Sequence, residues 1–202
     1  MNLPSIHAGQ RGVLVGRTGN GKTTLARAVM DNSPLHWIVL DCKNDKSFDD
    51  YKHYDLGDKL NFSGKLTVIR PAPHYLADRK SLDAWIFELS ETYENIGLFI
   101  DELLYVTHNS TAGPGLVGWL TRGRSRKQSF LGCTQRPARI SMFIFTECDV
   151  FINLGVNHVD DVKRLEAMTS SAEFAQKPPR FHFHVYDVAE DSLKKFKPVP
   201  QK

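Results

Sequence analysis

The sequence predicts an α/β fold, with a central, largely parallel sheet flanked by helices. Short β-rich runs alternate with helical segments along the 202 residues, and most of these runs are continuously apolar. Such strands are typical of parallel sheets covered on both faces. A chain of this length usually forms one domain. We therefore expect a single domain over residues 1–202, with its core at about 10–190 and a flexible tail at 191–202.

The apolar pattern places the individual elements. Strands are expected at 12–15, 37–41, 66–70, 98–101, 130–134 and 150–153, followed by a half-exposed strand at 181–186. Helices are expected at 23–30, 81–93 and 159–168, where apolar residues recur at helical spacing. Residues 42–64 are polar and poorly periodic, which predicts a surface excursion. The segment Asn109–Gly118 is rich in glycine and predicts a mobile loop.

The composition is that of an ordinary globular protein. Hydrophobic residues make up 41%, charged residues 24%, and the formal net charge is +3. These values exclude disordered, collagen-like and coiled-coil classes. No apolar run approaches the roughly 18 residues of a membrane span, and no charged start precedes a long apolar stretch, so we expect neither a span nor a secretory signal. The three cysteines are far apart, which predicts reduced thiols.

The most specific motif is the glycine-rich segment Gly16–Thr23. It fits G-x-x-x-x-G-K-[ST] and lies between an expected strand and an expected helix. Glycines let successive backbone N–H groups turn towards phosphate oxygens, and the helix N-terminus favours negative charge. In this motif Lys22 reaches the β- and γ-phosphates and the Thr23 hydroxyl ligates Mg²⁺. The predicted nucleotide-binding residues are Gly16, Arg17, Thr18, Gly19, Asn20, Gly21, Lys22, Thr23 and Thr24.

Two acidic residues, Asp101 and Glu102, end the apolar run that begins at Leu98. An Asp at this place can support Mg²⁺ beside a phosphate loop, and the adjacent Glu can orient and deprotonate a water. Acid pairs after strands also cap helices, but the upstream phosphate loop favours the catalytic interpretation. We assign Asp101 with Thr23 to the metal and Glu102 to water activation, which indicates hydrolysis.

Basic residues are concentrated between Arg122 and Arg139, a stretch without a single Asp or Glu. The residues are Arg122, Arg124, Arg126, Lys127, Arg136 and Arg139. Such a cluster is either a solvated surface or a contact to nucleic-acid phosphates. The residues alone leave both interpretations open.

The order of motifs resembles that of the FtsK–HerA superfamily of DNA-translocating ATPases. The phosphate loop is followed by Asp41-Cys42-Lys43, by the acid pair, by arginines in Gly123–Arg126, and by a strand that ends in Thr134-Gln135-Arg136-Pro137. The resemblance covers roughly residues 10–155. A domain this short looks most like the genome-packaging ATPases of tailless, internal-membrane bacteriophages and related viruses.

The resemblance implies roles for two further residues. Gln135 would read the γ-phosphate from the tip of a strand lying between the strands of the phosphate loop and the acid pair. Arg124 would be an arginine finger in the neighbouring subunit's site, with Arg122 and Arg126 competing for that role. The implied assembly is a homo-oligomeric ring, a hexamer or pentamer, acting in the host cytoplasm or at the virion vertex. Its cofactors would be ATP and Mg²⁺, and its partners double-stranded DNA without sequence preference and capsid or vertex proteins.

Three other functions remain open at this point. A P-loop kinase or other small-molecule phosphotransferase would work as a monomer indifferent to DNA. A nucleotide-gated assembly factor would bind ATP without hydrolysing it. A conjugation or chromosome-segregation pump is the neighbouring possibility within the translocase class.

Overall fold

The computed structural model of the chain describes residues 3–108 and 110–199. The strands are β1 (Arg11–Val15), β2 (His36–Leu40), β3 (His53–Tyr54), β4 (Leu66–Ile69), β5 (Ile96–Ile100), β6 (Thr107–His108), β7 (Thr111–Ala112), β8 (Ser129–Thr134), β9 (Val150–Asn153), β10 (Phe183–Asp187) and β11 (Ser192–Phe196). The helices are α1 (Lys22–Asn32), α2 (Pro73–Ala77), α3 (Arg79–Thr92), α4 (Pro114–Arg122), α5 (Met142–Thr146), α6 (Val159–Thr169) and α7 (Ala172–Ala175).

Within the described residues, nine strands form one sheet in the order β11-β10-β9-β1-β8-β5-β2-β4-β3. The pairs from β9 through β3 are parallel, whereas β10 runs antiparallel to both β9 and β11. The α/β fold predicted from the apolar strands is thus confirmed. The carboxyl ends of the parallel strands meet at one edge, where ligands of such sheets bind.

Both faces of the sheet are covered, which explains why its strands are continuously apolar. Val13 and Val15 of β1 pack in a core with residues of α3, α4 and α6. Leu14, between them, points to the other face and packs with residues of α1. Side chains alternate between faces along a strand, so every position of β1 is buried.

The expectation of a mobile loop at Asn109–Gly118 is wrong for most of that segment. Asn109 lies outside the described residues, but α4 already begins at Pro114. The Asp83 carboxylate of α3 accepts hydrogen bonds from the backbone N–H of Gly115 and Leu116, at 2.9 and 3.1 Å. A Cβ on Gly115 would lie 2.1 Å from the Asp83 carbonyl oxygen. Gly115 therefore serves close packing of α3 against α4.

The C-terminal expectations also need correction. The tail expected at 191–202 contains β11, which pairs with β10 over five residue pairs; residues 200–202 lie outside the described part. The strand expected to be half exposed is β10, and its residues from Phe183 to Tyr186 are buried. Phe196 of β11 stacks on the Phe183 ring with centroids 5.0 Å apart, and Phe174 of α7 packs against Tyr186. Together, β11 and α7 cover β10, which the local pattern of residues 181–186 does not reveal.

The segment 42–64 is more than the surface excursion predicted for it. It contains β3, the edge strand of the sheet, and a 3₁₀ turn at Lys46–Phe48. The Phe48 side chain is fully buried against Phe99 of β5, with ring centroids 6.3 Å apart. This anchor holds the start of the segment close to the carboxyl edge of the sheet.

Candidate nucleotide site

The phosphate loop connects β1 to α1 at the carboxyl edge of the sheet. The Gly16 N–H donates to the Thr134 carbonyl of β8, and the Arg17 N–H donates to the Gly155 carbonyl beyond β9. Gly19 and Gly21 have φ angles of 79° and 84°, a left-handed conformation that glycine adopts without strain. Neighbouring strand ends therefore hold the loop, and its glycines permit the turn into α1.

Lys22 lies beneath this loop. Its ammonium group donates hydrogen bonds to the carbonyl oxygens of Gly16 and Arg17, at 2.7 and 3.0 Å. Burial lowers the pKa of the Lys22 side chain from its ordinary value. The side chain thus points back under the loop that its motif uses to surround phosphate oxygens.

Asp101 and Glu102 follow β5 directly and are both buried. One Asp101 oxygen, Oδ1, accepts a 2.9 Å hydrogen bond from the Cys42 N–H, while Oδ2 lies 3.4 Å from Lys43 Nζ at ion-pair distance. Burial raises the pKa of Asp101 to about 7, against the opposing influence of the Lys43 charge. Within the described residues, neither Asp101 Oδ2 nor Glu102 Oε1 accepts a hydrogen bond.

These two buried oxygens are suited to hard-cation and water chemistry. Carboxylate and hydroxyl oxygens are ligands that Mg²⁺ accepts, and it retains several waters as well. Asp101 Oδ2 and the Thr23 hydroxyl could hold such an ion, and Glu102 Oε1 could accept a hydrogen bond from one of its waters. The donor set therefore fits magnesium.

Gln135 connects the phosphate loop to the acid pair. It follows β8, which pairs with β1 on one side and β5 on the other. Its Oε1 accepts a hydrogen bond from the Thr18 hydroxyl at 2.5 Å, and its Nε2 donates to Glu102 Oε2 at 3.3 Å. One amide thus contacts both the phosphate-binding segment and the candidate water-activating carboxylate.

The sequence motifs assign no role to two residues of the site, Lys43 and Asp45. Lys43 donates to the Asp101 carbonyl oxygen at 2.8 Å, in addition to its ion pair. Asp45 accepts a hydrogen bond from the Ser47 N–H at 2.9 Å, and its carboxylate interacts with the nearby Thr23 side chain. Burial alone would raise the pKa of Asp45, but the interactions with Ser47 and Thr23 outweigh it and hold the pKa below its ordinary value. Lys43 and Asp45 line, with Lys22 and Gln135, a cleft of about 380 Å³.

The position of Lys43 and Asp45 in the sequence could have indicated that they belong to the site. They follow Asp41 at the carboxyl end of β2, and β2 pairs directly with β5. Polar residues after adjacent parallel strands meet at the same edge of the sheet. Asp41 itself accepts hydrogen bonds from the Asp45 N–H and from Arg70 Nε, so it braces this segment.

The structure does not bring Arg124 to the phosphate loop of its own chain. Arg124 precedes β8, so it lies at the amino edge of the sheet, opposite Gln135. Its guanidinium is 2.6 Å from Asp149 Oδ1, in a side chain that is 65% exposed. Arg122 and Arg126, the competing candidates, pair with Glu91 and Glu94 at 2.6 and 3.6 Å.

The basic stretch from Arg122 to Arg139 is consequently not one surface. The six residues of β8 separate its two halves by about 20 Å, since a strand rises about 3.3 Å per residue. Arg136, beyond β8, pairs with Asp161 at 2.9 Å. Acidic residues distant in sequence thus offset much of this charge.

In residues 3–108 and 110–199, no helix is both long and apolar enough to cross a membrane.

Comparisons with known proteins agree with the resemblance found in the sequence. No protein-family profile matches the sequence. The chain is 28% identical over 209 residues to DNA packaging ATPase P9 of Enterobacteria phage PRD1, covering 95% of this chain and 88% of that protein.

Solved structures share its fold. The genome packaging NTPase B204 of Sulfolobus turreted icosahedral virus 2, in complex with ATP-γS, superposes with a TM-score of 0.76 at 21% identity, over 95% of this chain and 98% of that one. VirB4 of Thermoanaerobacter pseudethanolicus gives a TM-score of 0.72 at 8% identity, over 95% and 89% of the two chains. The resemblance of this chain to P-loop ATPases of the FtsK–HerA type, and among them to viral genome-packaging ATPases, is therefore confirmed.

Proposed function

We propose that this protein hydrolyses ATP and uses the reaction to translocate double-stranded DNA during viral genome packaging. The observation that carries the proposal is the bridge from Thr18 through Gln135 to Glu102, because it couples a phosphate-binding loop to a buried carboxylate. The PRD1 relative, named a DNA packaging ATPase, supports the same function.

In this proposal, the site residues predicted from the sequence have separate tasks. Lys22 moves from the loop carbonyls to the β- and γ-phosphates, and the backbone of Gly16–Thr24 surrounds the phosphate oxygens. Thr23 and Asp101 would hold Mg²⁺, which when bound would neutralise charge on the phosphates. Glu102 takes the proton of the attacking water. Gln135, in contact with Thr18 and Glu102, changes partners when the γ-phosphate leaves.

The proposal further assigns Arg124 to the site of a neighbouring subunit. An arginine inserted between subunits stabilises charge on the transferred phosphoryl group and can contribute about 10³–10⁵ in rate. The exposed position of Arg124, away from its own phosphate loop, supports this assignment. We propose a closed homo-oligomeric ring around the duplex, acting during particle assembly in the host cytoplasm or at a capsid vertex.

Steady-state hydrolysis tests this function. Turnover per subunit should rise with protein concentration as rings form, and rise again with random duplexes of increasing length until the duplex spans the ring. Contacts to phosphates without base readout make turnover independent of base composition. Robust hydrolysis by a monomer that ignores every duplex would contradict the proposal and favour a small-molecule phosphotransferase. ATP binding without hydrolysis would favour an assembly factor.

A further inference from the structure

A second, more apolar pocket adjoins the phosphate cleft. It has a volume of about 250 Å³ and lies between the start of α1 and the C-terminal strands. Gly21, Thr24 and Phe181 line both this pocket and the phosphate cleft. The two spaces therefore adjoin at the Phe181 side chain.

The orientation of a nucleotide in the phosphate cleft determines which part of it would enter the apolar pocket. Gln135 and Lys43 line the phosphate cleft but not the apolar pocket. A nucleotide whose γ-phosphate lies towards Gln135 and Glu102 therefore runs past Thr24 and leaves the loop at Phe181. The group at that end of a nucleoside triphosphate is the base.

Phe181 has two unusual properties for a large apolar residue. Its side chain is 42% exposed, and its backbone has a φ of 62°, in the left-handed region that bulky residues rarely adopt. Strained residues of this kind cluster at ligand sites. The Arg180 guanidinium lies over the ring at 4.7 Å from its centroid. An exposed, positioned aromatic ring beside a phosphate site is a stacking surface.

The rest of the pocket is mainly apolar. Phe183, itself stacked on Phe196, is fully buried, and Pro198 and Val199 complete the lining. The Asn20 amide already donates to the carbonyl oxygens of Leu154 and Gly155, at 2.8 and 3.3 Å. The lining residues therefore form an apolar surface on which a base can stack. They provide few hydrogen-bond donors and acceptors that could recognise the edge of one particular base.

We propose that this pocket binds the purine base of the nucleotide by stacking on Phe181, and that it accepts adenine and guanine alike. The proposal rests on the proposed nucleotide hydrolysis and extends it to the base. It also gives a role to the C-terminal stretch, in which no motif is recognised from the sequence.

Calorimetric titration in the presence of Mg²⁺ tests the proposal with ATP, GTP and inorganic tripolyphosphate, which has no base. The wild-type chain should bind ATP and GTP with dissociation constants within about threefold of each other, because stacking discriminates weakly between bases. Phe181→Ala should weaken both by about 5–150-fold, the value of one base–aromatic stack. Tripolyphosphate binding should not change. Phe181→Trp should retain the wild-type affinities, and Phe87→Ala, which removes another exposed phenylalanine on α3, is the matched control.

Three results would overturn the proposal. The first is Phe181→Ala binding ATP as tightly as the wild-type chain, and the second is an equal loss of ATP and tripolyphosphate affinity. The third is a preference of about a hundredfold for one purine. Base-dependent binding without hydrolysis would instead overturn the proposed function alone, and failure of the wild-type chain to bind either ATP or tripolyphosphate would overturn both.

Discussion

At the scale of single residues, the surroundings of Glu102 set its chemistry. Gln135 occupies one carboxylate oxygen at 3.3 Å, and the other oxygen has no hydrogen-bond partner within the described residues. A buried carboxylate with one free oxygen can accept the proton of a water, while the occupied oxygen fixes its orientation. Asp101 also has one oxygen without a hydrogen bond, but that oxygen, Oδ2, is ion-paired with Lys43 at 3.4 Å.

Glu102→Gln should separate catalysis from binding. The substitution preserves the shape of the side chain and its contact to Gln135 but removes the proposed base. Turnover should therefore fall by at least about a hundredfold while ATP affinity stays near the wild-type value. Lys22→Ala should lose ATP binding itself, because the cation for the β- and γ-phosphates is gone. Hydrolysis assays and nucleotide titration on both variants measure this, with exposed Glu88→Gln as the control. Equal loss of binding in the Glu102 and Lys22 variants would mean that Glu102 is structural.

Asp45 is placed to orient the Thr23 hydroxyl, since its carboxylate interacts with the Thr23 side chain. We expect the Thr23 hydroxyl to donate a hydrogen bond to Asp45, which would leave its oxygen lone pairs available for the metal. Asp45→Ala should therefore raise the Mg²⁺ concentration for half-maximal hydrolysis by about 10–100-fold, the usual effect of losing a residue that positions a metal ligand. Asp50→Ala changes an exposed carboxylate of the same segment and is the matched control. An unchanged Mg²⁺ dependence in Asp45→Ala would show that Thr23 needs no such orientation.

At the scale of secondary-structure elements, the sequence correctly predicts the helices and strands whose identity depends on the local residue pattern. The six apolar strands and the helices α1, α3 and α6 are all found within a few residues of their expected bounds. Strand β11 and helix α4 were missed, because their identity depends on distant partners: β10 for the strand and Asp83 for the helix start. The phosphate loop and acid pair follow from local motifs. Asp45 does not, since its partner Thr23 is brought close only by the pairing of strands.

The packing of α3 against α4 gives a test at this scale. Gly115→Ala would place a Cβ 2.1 Å from the Asp83 carbonyl oxygen, so the helices must separate, and unfolding free energy should fall by about 1–3 kcal/mol. Gly118→Ala lies in the same helix but meets only the mobile end of Arg122 at 3.0 Å. Because alanine has a higher helix propensity than glycine, Gly118→Ala should leave the unfolding free energy unchanged or raise it by up to about 1 kcal/mol. Urea unfolding of the two variants measures the difference, and equal effects would refute the close-packing role of Gly115.

At the scale of the whole molecule, the sheet holds residues that are close in sequence far apart in space. Arg124 and Gln135 are close in sequence, yet β8 carries them to opposite edges. No local pattern could show that acids from α3 and from the turn before β9 pair with the arginines. A surface ion pair such as Arg124–Asp149 contributes about 0–1 kcal/mol, so Arg124 can exchange Asp149 for a phosphate at little cost. Since Arg124 lies at the edge of the sheet opposite its own phosphate loop, the proposed role requires the site of a neighbouring subunit.

Complementation between defective subunits tests that arrangement directly. Arg124→Ala should bind ATP normally and hydrolyse it poorly, because each phosphate loop then lacks its neighbour's guanidinium. Lys22→Ala should be inactive because its own phosphate loop lacks the lysine, but it still carries Arg124. In mixed rings an intact Arg124 from one subunit serves an intact loop in the next, so activity should exceed the sum of the two separate preparations. Full activity in Arg124→Ala, with loss in Arg122→Ala or Arg126→Ala, would transfer the role to one of those residues. Full activity in all three variants would contradict hydrolysis at a subunit interface.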